Sequence, residues 1–186
     1  MSLSRQDVAR ATAISSLYIQ ALREGEALWF QVASGSMVPT LNVGDKVWIE
    51  PAKAIDIHNG EVAAFETAQG LVIHRIVQRE HRGTNLRLLE INDVNLSANW
   101  IVEQAVVGRV TTIQRGTLEI NLQHPVAQRW GSVTAYLRFK LYLLHTNKKS
   151  AWLGATVRRC ARFTVRFGYW CILHSSASRV RDTGSS

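Results

Sequence analysis

Residues 58–77, HNGEVAAFETAQGLVIHRIV, contain two short apolar runs that are rich in valine, isoleucine and phenylalanine. The Asn59-Gly60 pair before the first run is typical of a tight turn, in which glycine supplies a positive φ. In the second run, an alternation with a period of two places His74 on one face and Arg75 on the other. The stretch therefore predicts two β-strands with distinct faces.

The same pattern extends from about residue 28 to residue 120, where short apolar runs alternate with Gly, Asn, Asp and Pro, as in an all-β domain. Outside this region the apolar residues recur at helical spacing, over residues 5–24, after Pro125 and over about 151–173. The sequence thus predicts an N-terminal helix within 1–26, a β domain over 27–122, a basic helical extension over 123–174 and a disordered tail over 175–186.

Composition excludes several classes of protein. The 186 residues are 46% hydrophobic and 19% charged, which is typical of a globular chain and excludes wholesale disorder and collagen-like repeats. Two cysteines exclude a disulfide scaffold. Residues 1–125 carry 11 Lys and Arg against 13 Asp and Glu, whereas residues 126–186 carry 11 against one. This asymmetry predicts a basic appendage that faces a polyanion or an anionic membrane.

The C-terminal extension carries the features expected of membrane contact. Its first helix has a stripe of Trp130, Val133, Leu137, Leu141 and Leu144, and its second has Arg158, Arg159, Arg162 and Arg166 within about 100° of one another. We expect residues 126–173 to attach to an anionic membrane surface, although packing on the β domain is an equally common outcome. No nucleic-acid motif accompanies the charge. No transmembrane segment or signal peptide is visible, so we expect a cytoplasmic or peripheral membrane location.

Residues 34–41, SGSMVPTL, place two serine hydroxyls two residues apart at the end of a strand. His74 lies in an apolar row, where a neutral imidazole is favoured and can accept a proton near pH 7. Taken singly, such serines are often turn residues that bond their own backbone. A histidine in an apolar row is often a core residue whose ring nitrogens are hydrogen-bonded. The remaining histidines and the cysteines lack metal-ligand spacing, and no phosphate-binding loop is present, so no metal or cofactor is expected.

The order of the motifs resembles the signal peptidase I family of membrane-associated serine peptidases, in particular the archaeal and endoplasmic-reticulum branch with a catalytic histidine. The motifs are SGSMVPTL, GD followed by KVWIE, NGEVAAF, IHRIV, INDVN and VVGRV, over about residues 27–115. The resemblance implies that Ser36 is the nucleophile, that His74 is the general base, and that Ser34 and the Ser36 amide stabilise the oxyanion. It also implies a bent antiparallel β fold shared with LexA-type self-cleaving repressors.

Asp93, in INDVN, matches the aspartate of the family's GD-N turn, which implies a third catalytic residue that orients His74. The sequence departs from the family pattern here, since Asn92 replaces the usual glycine. The family often has a second aspartate a few residues later, but residues 97–99 of this chain contain none. A structural role for Asp93, in which it caps its own turn, is an equal alternative.

The leading hypothesis is a serine endopeptidase that cleaves signal or leader peptides from precursors by a Ser/His mechanism. The precursor would bind as an extended strand beside residues 28–34, and the resemblance implies small side chains before the cut. One alternative is a non-catalytic peptidase-fold module that docks on a membrane or an acidic partner. Another is a LexA-type self-cleaving regulator, which is disfavoured because those proteins use a lysine base and the N-terminus lacks a helix-turn-helix.

Overall fold

The computed structural model describes residues 5–94, 97–146 and 177–179. This part of the chain is a mainly β structure with a helix at each end of the sheet-forming region, as predicted. The helices are α1 (Arg5–Arg23) and α2 (Pro125–Thr146). The strands are β1 (Leu28–Gln31), β2 (Lys46–Pro51), β3 (Val62–Thr67), β4 (Gly70–Arg82), β5 (Asn85–Ile91), β6 (Ala98–Val102), β7 (Val106–Arg115), β8 (Leu118–Asn121) and β9 (Ala177–Arg179).

All the strand pairings are antiparallel and form one sheet in the order β1-β2-β7-β3-β4-β5-β6, with β8 on β7 and β9 on β8. Register shifts interrupt three ladders, after Trp48, Ala64 and Ile76. Such bulges bend strands and increase twist, which accounts for the curl of the sheet. The long strand β4 pairs with β3 over residues 70–75 and with β5 over residues 75–82.

Helix α1 packs over the first half of β4 and over β1. Ile19 and Leu22 are buried in the largest apolar cluster of the described residues, and the Tyr18 ring meets Phe30 edge-on at a centroid distance of 5.3 Å. The approach to β4 is close, because a Cβ on Gly70 would lie 2.6 Å from Ser15 Oγ. The amphipathic pattern that predicts this helix corresponds only in part to its buried face, because Leu22 is buried whereas Ile14 and Leu17 are 54% and 67% exposed.

Helix α2 approaches the sheet through small residues. Ala127, Gly131 and Ala135 are buried, and a Cβ added to Gly60 would lie 2.4 Å from the Ser132 amide nitrogen. The apolar stripe seen in the sequence is consequently only partly buried: Leu141 lies in the interior, whereas Val133 is 43% exposed. Small side chains at the contact allow the helix backbone to approach the turn before β3, and this turns part of the apolar stripe outward.

Three residues of the predicted disordered tail form β9, which pairs with β8 from Leu118 to Ile120. The open edge of β8 supplies the backbone groups that such a segment needs. The predicted second C-terminal helix and its arginine stripe at 158–166 lie outside the described residues. No helix in the described ranges is long and apolar enough to cross a membrane.

Candidate active site

Ser36 lies in the loop that joins β1 to β2, and apolar anchors hold this loop in place. Met37 and Leu41 are 2% and 1% exposed, and the Leu41 amide donates to the Met37 carbonyl at 2.9 Å. At the base of the loop, Val32 exchanges two backbone hydrogen bonds with the turn at 42–45. Ser36 itself is only half-buried, so its hydroxyl is presented on a fixed backbone within reach of solvent.

His74 of β4 lies next to Ser36, with Nε2 at 3.2 Å from Ser36 Oγ. The imidazole packs edge-on against Phe65, at a centroid distance of 6.0 Å, and its side chain is 16% exposed. The distance between Nε2 and Oγ is within the range over which a neutral imidazole accepts a hydroxyl proton. The fold thus brings together the two residues that lie 38 positions apart and that the sequence analysis paired.

Ser34 extends the same site. Its Oγ lies 3.3 Å from Ser36 Oγ, and the residue is exposed. A hydroxyl beside the nucleophile is a donor of the kind that a developing oxyanion requires. The two residues expected to form the oxyanion-stabilising pair are therefore adjacent in space.

The second imidazole nitrogen of His74 contacts a carboxylate that the sequence analysis missed. Nδ1 lies 2.7 Å from Glu90 Oε2, and Asn99 Nδ2 donates to Glu90 Oε1 at 2.8 Å. Glu90 is 3% exposed and lies between Leu89 and Ile91 near the end of strand β5. An acid between apolar residues can be recognised in the sequence. The register of β5 on β4, which brings that acid to His74, cannot be predicted from it, because a bulge follows Ile76.

Asp93, the predicted orienting acid, does not contact His74. Its Oδ1 accepts from Arg75 Nε at 3.1 Å, and its Oδ2 accepts from Arg75 Nη2 at 2.9 Å and from Thr40 Oγ1 at 2.6 Å. The physical reason is the pleat, which turns Arg75 to the face of β4 opposite His74. Asp93 therefore has structural contacts, but its carboxylate binds Arg75 and Thr40 and is not seen to cap its own turn, which was the alternative.

The Asp93 carboxyl is charged although it is buried. Burial alone raises the pKa of Asp93, but the charge and hydrogen bonds of Arg75, the charge of Arg138 and the Thr40 hydrogen bond hold that pKa below its ordinary value. Burial lowers the pKa of Arg138, which lies on α2, and the Asp93 charge opposes this shift. The carboxylate is thus hydrogen-bonded to the guanidinium of Arg75, and the charge of Arg138 adds to its stabilisation.

This charged cluster connects the nucleophile loop to its surroundings. Arg75 Nη2 donates to Thr40 Oγ1 at 2.7 Å, and Arg75 Nη1 donates to the Gly60 carbonyl at 2.8 Å. The amides of Asp93 and Val94 donate to the Ser36 carbonyl at 2.9 and 3.2 Å. The conformation of the backbone at Ser36 consequently depends on the turn that contains Asp93.

A cleft of about 360 Å³ runs from the Ser36–His74 pair along two segments of the chain, residues 30–37 and 71–74. Its lining is mostly apolar, and the polar groups are those of the site itself: Phe30, Val32, Ala33, Ser34, Ser36, Met37, Leu41, Leu71, Val72, Ile73 and His74. Among the described residues, no strand pairs with β4 on this side before Arg75. The cleft therefore borders an open edge of the sheet.

Comparison with known families identifies one match. The family described as Peptidase S24-like matches residues 4–111, which include α1, the nucleophile loop, His74, Glu90 and Asp93. No curated protein matches the chain.

Proposed function

The chain belongs to the Peptidase S24-like family, and we propose that it is a serine endopeptidase that uses Ser36 as nucleophile and His74 as general base. The observation that carries the proposal is the 3.2 Å contact between Ser36 Oγ and His74 Nε2, at the end of an open cleft. A hydroxyl held by a base, with the base held by a third group, is the arrangement that activates serine.

The proposed reaction follows from these positions. His74 Nε2 takes the Ser36 hydroxyl proton as Oγ attacks the carbonyl carbon of the scissile bond, and it later donates that proton to the leaving amine. Water then enters, loses a proton to the same nitrogen and hydrolyses the ester on Ser36. Ser34 Oγ, 3.3 Å from the nucleophile, is proposed to donate to the oxyanion together with the Ser36 amide.

The proposed substrate is a leader or signal segment of a precursor peptide, bound in an extended conformation. The Leu71 amide donates to Ser15 Oγ at 3.3 Å, so this backbone group points away from β3. Because the groups of a strand alternate with a period of two, the amide and carbonyl of Ile73 also face the cleft. The Ile73 groups can supply main-chain hydrogen bonds of the kind that an added strand uses. The apolar lining favours apolar side chains, and the family resemblance implies that those next to the cut are small.

The experiment incubates the full chain with a defined peptide library and identifies new termini by mass spectrometry. We expect cleavage after small apolar residues by the wild type and none by Ser36→Ala. A Ser36→Ala preparation that cleaves at the wild-type rate would contradict the proposal. Binding without cleavage by the wild type would instead support the alternative, a peptidase-fold binding module.

We further propose that the α2 side of the molecule attaches to an anionic membrane. The exposed face of α2 carries Arg129 and Lys140 beside Val133 and Tyr136, and residues 126–186 carry 11 of the 22 basic residues but one acidic residue. Cations and aromatic groups on one helix face suit the headgroup region. The proposed contribution of residues 151–173 falls outside the described residues.

Co-sedimentation with vesicles that contain anionic phospholipid tests this attachment. Each basic residue near an anionic surface contributes about 1 kcal/mol, so Arg129→Gln with Lys140→Gln should weaken binding about 30-fold at low salt. The matched control, Lys46→Gln with Lys53→Gln, removes two exposed lysines from the sheet region. Equal binding by the two double variants, or no binding by the wild type, would contradict the proposal.

A further inference from the structure

The side chains of His74, Glu90 and Asn99 form a line across three neighbouring strands. Glu90 lies directly opposite Asn99 in the β5–β6 ladder and opposite Ile76 in the β4–β5 ladder. Because Ile76 and His74 are two residues apart, all of these side chains share one face of the sheet. Each oxygen of Glu90 has one partner, at 2.7 Å to His74 Nδ1 and at 2.8 Å to Asn99 Nδ2.

We infer that Glu90, with its orientation fixed by Asn99, is the positioning residue that sets the tautomer of His74. An ionised carboxylate only accepts hydrogen bonds, so Nδ1 of His74 carries the proton and donates a hydrogen bond to Glu90. The lone pair of the neutral imidazole is then on Nε2, which faces Ser36 Oγ at 3.2 Å. This inference rests on the proposed function, because the tautomer matters only if Nε2 acts as a base.

Asn99 determines which oxygen of Glu90 is left for His74. Its amide group donates to Glu90 Oε1, so it marks that atom as an acceptor and leaves Oε2 for the imidazole. The other carboxylate near the loop cannot replace Glu90, because both oxygens of Asp93 are occupied by Arg75 and Thr40. Glu90 is nearly fully buried, whereas Asn99 is exposed, so position 99 tolerates a change of charge.

The geometry makes an unusual prediction for the isosteric variant Glu90→Gln. If Asn99 keeps its Nδ2 toward position 90, it would donate to the amide oxygen of the new side chain. The amide NH₂ would face Nδ1 of His74 and donate to it, so the proton of the neutral imidazole would move to Nε2. A base with its proton on the wrong nitrogen loses about 10⁴-fold in rate in the serine protease triad.

The double variant that combines Glu90→Gln with Asn99→Asp reverses this polarity. The new carboxylate at position 99 would accept from the new amide group at position 90, which turns the amide oxygen at position 90 back toward Nδ1 of His74. We expect Glu90→Gln to slow the reaction about 10³- to 10⁴-fold and the double variant to recover at least about tenfold of that loss. Glu119→Gln, the same change on β8 and outside the site, is the matched control and keeps the wild-type rate.

Two measurements distinguish this inference from the proposed function. The first is the rate at which a fluorophosphonate probe modifies Ser36, followed across pH. The second is the ¹⁵N spectrum of the histidine ring nitrogens, with His74 assigned from the spectrum of His74→Gln, which reports the tautomer without catalysis. We expect the neutral Nδ1–H form in the wild type, the Nε2–H form in Glu90→Gln and a return to Nδ1–H in the double variant.

The outcomes are separable. A wild-type tautomer with the proton on Nε2 would overturn the role of Glu90, and a Glu90→Gln protein with an unchanged tautomer and rate would overturn the fixed direction of the Asn99 amide. If Glu90→Gln lowers the rate and the double variant does not recover it, the role of Asn99 would be overturned. If the probe does not modify Ser36 in the wild type, the proposed function fails, and the ring spectra still decide which residue orients His74.

Discussion

His74 and Arg75 are consecutive residues of β4, and each binds a carboxylate on its own face of the strand. The His74–Glu90 pair has side-chain exposures of 16% and 5%, whereas the Arg75–Asp93 pair has exposures of 6% and 0%. The first pair borders the cleft and ends at a nucleophile. The second is enclosed beneath α2 and ends at the backbone of the nucleophile loop.

The difference shows why two acids so close in sequence have different roles. An arginine stays protonated at every accessible pH, so an arginine–carboxylate pair can fix a loop but cannot exchange a proton. A histidine changes charge near neutral pH, so a carboxylate on one nitrogen controls what the other nitrogen can do. Asp93 therefore belongs to the architecture of the site, and Glu90 belongs to its proposed chemistry.

The largest change in stability is expected from Asp93→Ala. The substitution leaves the guanidinium of Arg75 buried without its carboxylate, and breaking a buried pair in this way costs about 3–5 kcal/mol. Urea unfolding measures this loss, with Glu119→Ala as the control on an acid that is only half-buried. If both variants lost the same free energy of unfolding, the contrast between the two faces would not hold.

A smaller loss is expected from Gly60→Ala, which disturbs the turn whose carbonyl accepts from Arg75. Gly60 has φ +100°, and an added Cβ would lie 2.4 Å from the backbone of α2. Gly25→Ala is the matched control, because Gly25 has φ +94° and no heavy atom within 4 Å of the added Cβ. The steric contact should make Gly60→Ala about 1–3 kcal/mol less stable than Gly25→Ala by thermal unfolding. Equal melting temperatures would mean that α2 does not press on this turn.

The smallest effect concerns acid stability. Arg75 holds the pKa of Asp93 below its ordinary value despite burial, so this carboxyl stabilises the fold fully above the pKa of the unfolded chain. The contribution is lost as the pH falls through the lower pKa of the folded state. The free energy of unfolding should therefore fall more steeply below about pH 4 in the wild type than in Asp93→Asn. Parallel pH curves for the two proteins would contradict the charge state assigned to Asp93.

Much of the fold follows from the sequence because period and turn residues are local signals. The runs around 58–77 predict β3 and β4, and the helical spacing over 5–24 predicts α1. The packing of α2 is harder to predict from the sequence, since it depends on the absence of side chains at Gly131 and Gly60 rather than on the apolar stripe.

The residues of the site also differ in whether local signals predict them. A bend and a period-two pattern, both of which are local, predict Ser36 and His74 together with the family resemblance. The partner of His74 depends on how β5 and β6 register on β4, and a bulge after Ile76 displaces that register by one residue. The position of Asp93 in a motif predicts an orienting acid, but the pleat turns Arg75 toward it and His74 away. In the sequence, Glu90 stands out only as an acid between Leu89 and Ile91.

The most direct test of the central claim is the site and rate of fluorophosphonate modification, followed by intact mass and peptide mapping. The account predicts a single adduct on the peptide that contains Ser36, with no adduct in Ser36→Ala. It also predicts a rate at least about 10²-fold lower in His74→Ala, because the hydroxyl then lacks its base. Modification of Ser36 at an unchanged rate in His74→Ala, or an adduct on another residue, would contradict the account.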